Sequence, residues 1–566
     1  MLFLLLRSPV EGSRPDLVSG RVGRELERVA GRTPTTWALG ALFAATTTPD
    51  QLLLREFGGK VYLLDGTLPC HLPQPLSSER ELLQCIAAAG GCFNLFTWDA
   101  SSGELLVSSE ENAFRPLYVH VRPTGTVAIA SHIGLIAEAF QDLSVNERAV
   151  LEQLAVSTCS SNKTILDGVT RVEPGAVLSI DGRRPLRSSA GARRQQLSVS
   201  PADAGAGELW KLAEAVLKGA VGDRPAVVAL SGGFDSRFLA LAGIGAGLGL
   251  AAVTLGLPGW IDVDLATSFA SQASIPHKVV EPPLVPDFDD YRTTVIEVEH
   301  LSDYLSPFWL GTYRAFLRAR EGPVINGFLG GPVSGGLNQG SQATAAGAGD
   351  FVETYMDAIN RCAVRWNTLR RVSTSDVMQL RQGVLGHARQ LSAGRSELAP
   401  HLEMRLRQYG FVVLNTVNLY RRYCSVVAPF ADTRMIRFFQ SLSPGQLANQ
   451  HFYRQVLEAR DGSGVPFAST TARLYRPETF TQGPMDYLYA SYAQVRHTMR
   501  EFVLSHRRRI EHLFHVDRLA RELTDATAGE AGPDQMTFTE AIALVNSVIW
   551  IVQRGLHESV QPVASG

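Results

Sequence analysis

Residues 226–236 read AVVALSGGFDS. Five apolar residues, Ala226 to Leu230, lead straight into Ser231-Gly232-Gly233. A run this short, closed by a glycine pair, reads as a buried parallel strand. The glycine pair lets backbone approach a ligand with no Cβ in the way. Arg237 to Ala246 is helix-compatible, so the turn would end at a helix N-terminus, where N–H groups and the helix dipole favour an anion. Ser231 and Ser236 add hydroxyl donors, and Asp235 is placed to hold a hard cation against phosphate oxygens. The pattern is a phosphate cradle but not a Walker loop, because G-x-x-x-x-G-K is absent.

SGGFDS resembles the SGGxDS pyrophosphate loop of the enzymes that split ATP into AMP and pyrophosphate, asparagine synthetases above all. The resemblance implies ATP and Mg2+ as cofactors and an adenine nucleotide α-hydrolase-like, doubly wound parallel sheet with added helices. On that basis Leu230, Ser231, Gly232, Gly233, Asp235 and Ser236 would bind ATP, and Asp235 would hold the metal. Working outward, Leu250 to Gly256 reads as a second buried strand, Val263 to Ala273 as a helix, and Pro276 to Val280 as a third strand. The order is similar to the synthetase segment F-x-x-G-L-P-G…D-x-x-x-A…x-H-x-x-V. The end of the family's second strand supports the adenine, and Leu255 and Gly256 match it. Asp262 and Asp264 fit a magnesium site or helix N-capping equally well. His277 reads as a strand-end packing residue without a partner.

Pro323 to Pro332 (PVINGFLGGP) resembles the strand and glycine loop that reads S-G-E-G-A-D-E in the family. Asn326 and Gly327 would still meet the nucleotide through backbone. Phe328 stands where the family has a glutamate near the acyl-adenylate, Gly331 where it has a second magnesium-binding aspartate, and Pro332 where another acid follows. Asp235 is then the one carboxylate left of the two motifs. One carboxylate binds magnesium when phosphates supply the other ligands, with weaker stabilisation of the leaving pyrophosphate. Ser334 to Asp350 reads as a flexible lid or surface insertion, and Phe351 to Val456 as helical. Pro429, Phe430 and Asp432 match the family's E-x-R-x-P-F-L-D element, most simply as a turn capping a helix over Thr433 to Leu442. Arg473 and Arg476 sit where the family has R-x-K, and could stabilise an anion but not act as a base. No catalytic residue is assigned.

The chain to about residue 182 reads as short strands with turns: WALGALFAATTT, QLLLREF, KVYLLDG, FNLFTWD, ELLVSS, PLYVHV and TVAIAS, with helices over Glu79 to Ala89 and Asn146 to Val156. Gly91 to Asp99, Arg115-Pro116-Leu117-Tyr118, Ala130-Ser131, Gly168-Val169 and Glu173-Pro174-Gly175 resemble the glutamine-hydrolysing half of asparagine synthetase, an Ntn-hydrolase-like stacked-sheet domain. Such glutaminases attack with an N-terminal residue, normally cysteine. This chain begins Met1-Leu2-Phe3, so the expectation is a domain without ammonia production, with Gly91 and Arg115 as turn and packing residues. The organisation expected is α/β plus α+β: residues 1–182 as the Ntn-like domain, 183–207 as a flexible linker, and 208–566 as the ATP-pyrophosphatase domain with a helical C-terminal part.

The 566 residues carry a net charge of -2, with 45% hydrophobic and 19% charged residues, ordinary for a globular protein and without the basic footprint of a nucleic-acid binder. The six cysteines, Cys70, Cys85, Cys92, Cys159, Cys362 and Cys424, lack C-x-x-C spacing, which favours reduced thiols in a cytoplasmic protein. LFLLL at the start is too short for a signal-peptide core, and Ala541 to Val552 reads as a buried helix rather than a membrane span. The resemblance implies an ATP-dependent amide-bond-forming ligase that activates a carboxylate and uses ammonia or a substrate amine, as β-lactam synthetases and lasso-peptide cyclases do. Its partners would be a small-molecule or peptide carboxylate and an amine, with no nucleic acid or membrane, and a biosynthetic-cluster protein as a further candidate. The alternatives are a nucleotide-binding relative without ligase activity, retained for regulation or partner binding, and a lasso-peptide macrolactam or β-lactam synthetase.

Overall fold

The computed structural model describes residues 3–7, 22–27, 35–39, 42–46, 52–67, 92–109, 114–156, 159, 162–180, 187–190, 205–283, 286–299, 306–318, 322–336, 378–379, 382–383, 418–467, 484–526 and 538–556. Among the described residues the first half supplies twelve strands: β1 (Phe3–Arg7), β2 (Thr35–Leu39), β3 (Leu42–Thr46), β4 (Leu52–Phe57), β5 (Lys60–Thr67), β6 (Cys92–Asp99), β7 (Glu104–Ser108), β8 (Tyr118–Val121), β9 (Val127–Ala130), β10 (Val169–Arg171), β11 (Ala176–Ile180) and β12 (Arg187–Ala190). They form two antiparallel six-stranded sheets, ordered β10-β8-β9-β1-β3-β2 and β12-β11-β7-β6-β5-β4. Two helices, α1 (Ile133–Ala139) and α2 (Glu147–Val156), follow β9.

Alternation along the strands sets the layers. Val61, Leu63, Phe96, Trp98, Leu105 and Val107 of one sheet meet Leu117, Val119, Val127 and Ile129 of the other in a shared core. Leu106, between two inward residues, faces outward. β9 is buried along its whole length, because Ala128 and Ala130 face a second, helical core on the sheet's other side. The apolar start of the chain is therefore a central strand: β1 lies between β9 and β3. The segment expected as linker contributes an edge strand, since β12 pairs with β11 despite its polar sequence, RSSA. An edge tolerates that composition because one side and one face of the strand need no apolar partner. The helix expected over Glu79 to Ala89 lies outside the described residues.

The second half opens with α3 (Ala206–Val221) and builds a five-stranded parallel sheet. Its strands are β13 (Ala226–Ala229), β14 (Leu250–Leu255), β15 (His277–Val280), β16 (Val324–Ile325) and β17 (Val426–Val427), in the order β15-β14-β13-β16-β17. The connections run through α4 (Phe234–Gly245), α5 (Ile261–Gln272), α6 (Phe288–Val298), α7 (Ser306–Arg318) and α8 (Asn418–Tyr423). Period two again assigns the faces. Ala226, Val228, Ala252, Ile325 and Val427 meet Leu217 of α3, Phe238 of α4 and Phe269 of α5. Val253, Val280 and Val324 meet Val298 of α6, Leu317 of α7 and Tyr423 of α8. Helices thus cover both faces, the condition under which a parallel sheet is stable. The chain advances from β13 to β15 on one side, then returns to β16 on the other, so the order reverses between β13 and β16. That is where crevices open at the carboxyl ends of such sheets.

Beyond β17 come α9 (Thr433–Gln440), α10 (His451–Arg460), α11 (Pro484–Ser505), α12 (Val516–Asp525) and α13 (Phe538–Gln553). Asp432 caps α9 by accepting from the Arg434 N–H at 2.8 Å, as the Pro-Phe-x-Asp pattern implied. α13 is buried all round, with Ile542, Val545, Ile549 and Trp550 inaccessible. Asn546 and Ser547, within its buried stretch, both find partners: the Tyr291 hydroxyl donates to Asn546 Oδ1 at 2.6 Å, and Ser547 donates to the Ala543 carbonyl at 3.0 Å. Among the described residues no helix is long and apolar enough to cross a membrane. The core around α13 also takes in Ile133, Ile136, Val150 and Ala128 of the first half, so one core crosses the boundary expected near residue 208.

Candidate functional site

The turn after β13 is tied off by its own side chains. The Ser231 N–H donates to Ser236 Oγ at 3.0 Å, the Gly233 N–H to Ser231 Oγ at 3.2 Å, and the two serine oxygens lie 3.0 Å apart. Leu230, just before them, is buried and continues the ladder to the Val253 carbonyl at 2.8 Å. α4 begins at Phe234, three residues earlier than the sequence suggested, and its N-cap Gly233 offers no side chain. Asp235 therefore sits in the first helical turn.

The loop after β16 packs straight onto Asp235. The Asn326 N–H bonds the Val427 carbonyl at 2.9 Å, fixing where the strand stops. A Cβ on Gly327 would stand 2.9 Å from the Asp235 Cβ, and one on Gly330 would collide with the Asp235 carboxylate carbon. Both glycines are required by that approach. Leu329 between them has a left-handed φ of 66°. Gly331 also lies beside Asp235, presenting its backbone N–H to that residue.

The Asp235 Oδ1 is enclosed and completes no hydrogen bond, although the residue as a whole is only partly buried. Burial raises its pKa to about 7, against the smaller pull of the Tyr453 hydroxyl and the Gly331 N–H. Tyr453, fully buried on α10, was not singled out by the sequence. Its hydroxyl stands near enough to Asp235 for each to raise or lower the other's pKa, yet it completes no hydrogen bond of ordinary geometry. The start of α10 is held by two left-handed residues, Asn449 and Gln450, and the Gln450 amide donates to Ser334 Oγ at 2.6 Å. Ser334 in turn donates to the Gly330 carbonyl at 2.6 Å, so α10 and the β16 loop are locked together.

Asp262 does not cap α5, whose N-cap is Trp260. Its Oδ1 reaches back and accepts from the Gly232 N–H at 2.9 Å. Asp264 accepts from the Gly259 N–H at 3.3 Å, away from the loop. Leu255 ends β14, beside β13, and Gly256 follows it, on the edge where the loop lies. Gly256 is glycine because a Cβ would meet Trp260 at 2.8 Å, and its N–H is used by the Val280 carbonyl. His277 has the partner that the sequence did not reveal: its Nε2 lies 2.8 Å from Thr254 Oγ1, which donates to the Leu230 carbonyl at 2.9 Å. Burial lowers the pKa of His277, and because the Thr254 hydroxyl hydrogen goes to the Leu230 carbonyl, Nε2–H is the donor between ring and threonine. Arg237 of α4 clamps the Val465 and Pro466 carbonyls at 2.7 and 2.6 Å and lies over Phe467. Arg473 and Arg476 lie outside the described residues.

The first half holds a second buried polar group. Asn94 and Arg115 donate to Asp65 at 3.1 and 2.9 Å, and Arg421 from α8 lies 3.3 Å away. Burial works against ionisation of Asp65, but the two guanidiniums and the Asn94 amide outweigh it and hold the carboxyl below its ordinary value. Arg115, expected as a turn and packing residue, is thus half of a buried ion pair.

A family model described as a glutamine amidotransferase domain matches residues 79–187. The match runs from before β6 to the first residue of β12 and covers less than half of the chain. A domain of this kind fits the Ntn-like half of asparagine synthase-like proteins, in keeping with the resemblance of the G-x-F…W-D and R-P-L-Y segments, and it points to an enzyme. No curated protein matches the chain.

Proposed function

We propose that the chain is an ATP-dependent amide-bond-forming ligase of the asparagine-synthase type. A carboxylate oxygen attacks the α-phosphorus of ATP, pyrophosphate leaves, and ammonia or a substrate amine then displaces AMP to give the amide. The glycine turn from Ser231 to Ser236 takes the phosphates, Leu255 and Gly256 the adenine, and Asn326 and Gly327 the nucleotide through backbone. The observation that carries the reading is the unpartnered, enclosed Oδ1 of Asp235, set between two glycine loops where the parallel sheet reverses order. The donor chemistry of that atom suits magnesium, since a hard cation takes carboxylate oxygen and would supply the bond the carboxylate lacks. When bound, the ion offsets charge on the departing pyrophosphate. The Gly327–Gly331 backbone packs against the carboxylate, and Tyr453 stands beside it.

The test is pyrophosphate release from ATP and magnesium with a panel of small-molecule and peptide carboxylates. Release that disappears in Asp235→Ala supports the ligase. A second reading, nucleotide binding without ligation, is favoured by Gly331 presenting only an N–H to Asp235. ATP binding without turnover on any carboxylate would select it.

A further inference from the structure

We propose that Asp262 is a resident anion of the glycine cradle: its carboxylate occupies the amide that a nucleotide phosphate would use, and the phosphate must displace it to bind. The inference rests on the nucleotide reading above and adds a self-competing contact to it. All three N–H groups of Ser231-Gly232-Gly233 are engaged in the structure. Two go to serine hydroxyls of the same turn, and the third, on Gly232, goes to Asp262 Oδ1 at 2.9 Å. The hydroxyls are neutral and rotate aside, whereas Asp262 brings a full negative charge to the mouth of a twelve-residue helix whose N-cap, Gly233, has no side chain. A carboxylate there satisfies the amide and the positive end of α4 in the absence of ligand, and repels an incoming phosphate.

The acid arrives from another element, thirty residues along the chain. Asp262 is otherwise exposed, so its side chain has water to swing into. The enclosed, unpartnered Asp235 Oδ1 marks the same turn as a place where a bond is still to be made. The contact therefore keeps the cradle shaped and closed until a more highly charged anion, accompanied by its cation, outcompetes a single carboxylate.

Asp262→Asn separates this role from the alternatives, because the amide oxygen still accepts from Gly232 while the charge is gone. Titration calorimetry on the full chain, with inorganic pyrophosphate plus Mg2+ and separately with ATP plus Mg2+, should show Asp262→Asn binding roughly tenfold tighter than the unaltered protein. Asp262→Ser, with a neutral hydroxyl, should move the same way and guards against one variant folding badly. Equal affinity would make Asp262 a buttress of the turn, and weaker affinity would make it a ligand of the bound metal; either overturns the proposal while leaving the nucleotide reading intact. Failure of the unaltered chain and both variants to bind either ligand would remove that reading and the proposal with it.

Discussion

Asp235 carries its proton differently in the folded and unfolded chains. Its carboxyl has a pKa of about 7 in the fold against 3.8 when unfolded, so the fold retains a proton that the unfolded chain releases. Stability from this group is full below a pH of about 4 and is lost as the pH rises through about 7. Asp235→Asn keeps the neutral state throughout, so its advantage should widen across that window to at most about 4 kcal/mol. Urea unfolding without magnesium at several pH values measures the gap; a constant gap would contradict the enclosed carboxyl. Leu329 sets two effects against each other. Its left-handed φ costs a non-glycine residue about 1–2 kcal/mol, while burying its side chain contributes about 1.5–3 kcal/mol. Burial wins, so Leu329→Gly should destabilise by about 1 kcal/mol rather than stabilise. Gly330→Ala should cost more, about 1–3 kcal/mol, since the new methyl group meets Asp235, and ATP binding should fall with it.

Among the elements, α4 does two jobs near its N-terminus. Its first turn faces the candidate site, and one residue on, Arg237 anchors the segment after α10. That guanidinium is inaccessible, spans two carbonyls, lies over Phe467 and Phe269, and stands 3.5 Å from the buried Asp461. Lysine cannot span both carbonyls or stack on a ring in that way. Arg237→Lys should therefore lose about 2 kcal/mol, and Arg237→Met about 3–5 kcal/mol, because Asp461 is then left buried without its cation. Thermal melts of the pair would show the order; equal melting temperatures would mean the clamp is dispensable. The elements were largely legible in the sequence. β13, β14 and β15 fall where short apolar runs are bounded by glycine or proline, and the α9 cap falls at the expected aspartate. Arg187–Ala190 was missed because an edge strand takes its order from its neighbour rather than from its own apolar residues.

In the whole molecule, two adjacent arginines of α8 face acids that bind the halves together. Arg421 meets Asp65 of β5, and Arg422 stands 3.6 Å from Glu299, the left-handed residue that ends α6. Glu299 accepts from the Ile133 and Gly134 N–H groups at the start of α1, at 3.0 and 2.8 Å. Arg554, after α13, joins Glu299 to Glu25 and Glu138. Glu299→Ala would orphan two backbone donors and leave two buried guanidiniums short of charge, a loss of about 3–5 kcal/mol. Scanning calorimetry should show a lower transition that separates the sandwich from the parallel sheet. An unshifted single transition would show that the shared apolar core alone holds the halves together.

The sequence by itself determined the local shapes: stacked strands in the first half, the strand, glycine turn and helix around Ser231, and the buried character of α13. These follow from period two, from glycine where backbone must pass close, and from apolar runs of a given length, all of which act between near neighbours. Only the tertiary structure decided which charges meet. Asp262 on Gly232, Tyr453 beside Asp235, and Asp65 with Arg421, 356 residues apart, depend on the order of strands in the sheet and on which helix returns across it. A side chain's partner at that separation is set by the packing of both faces, and no spacing along the chain encodes it.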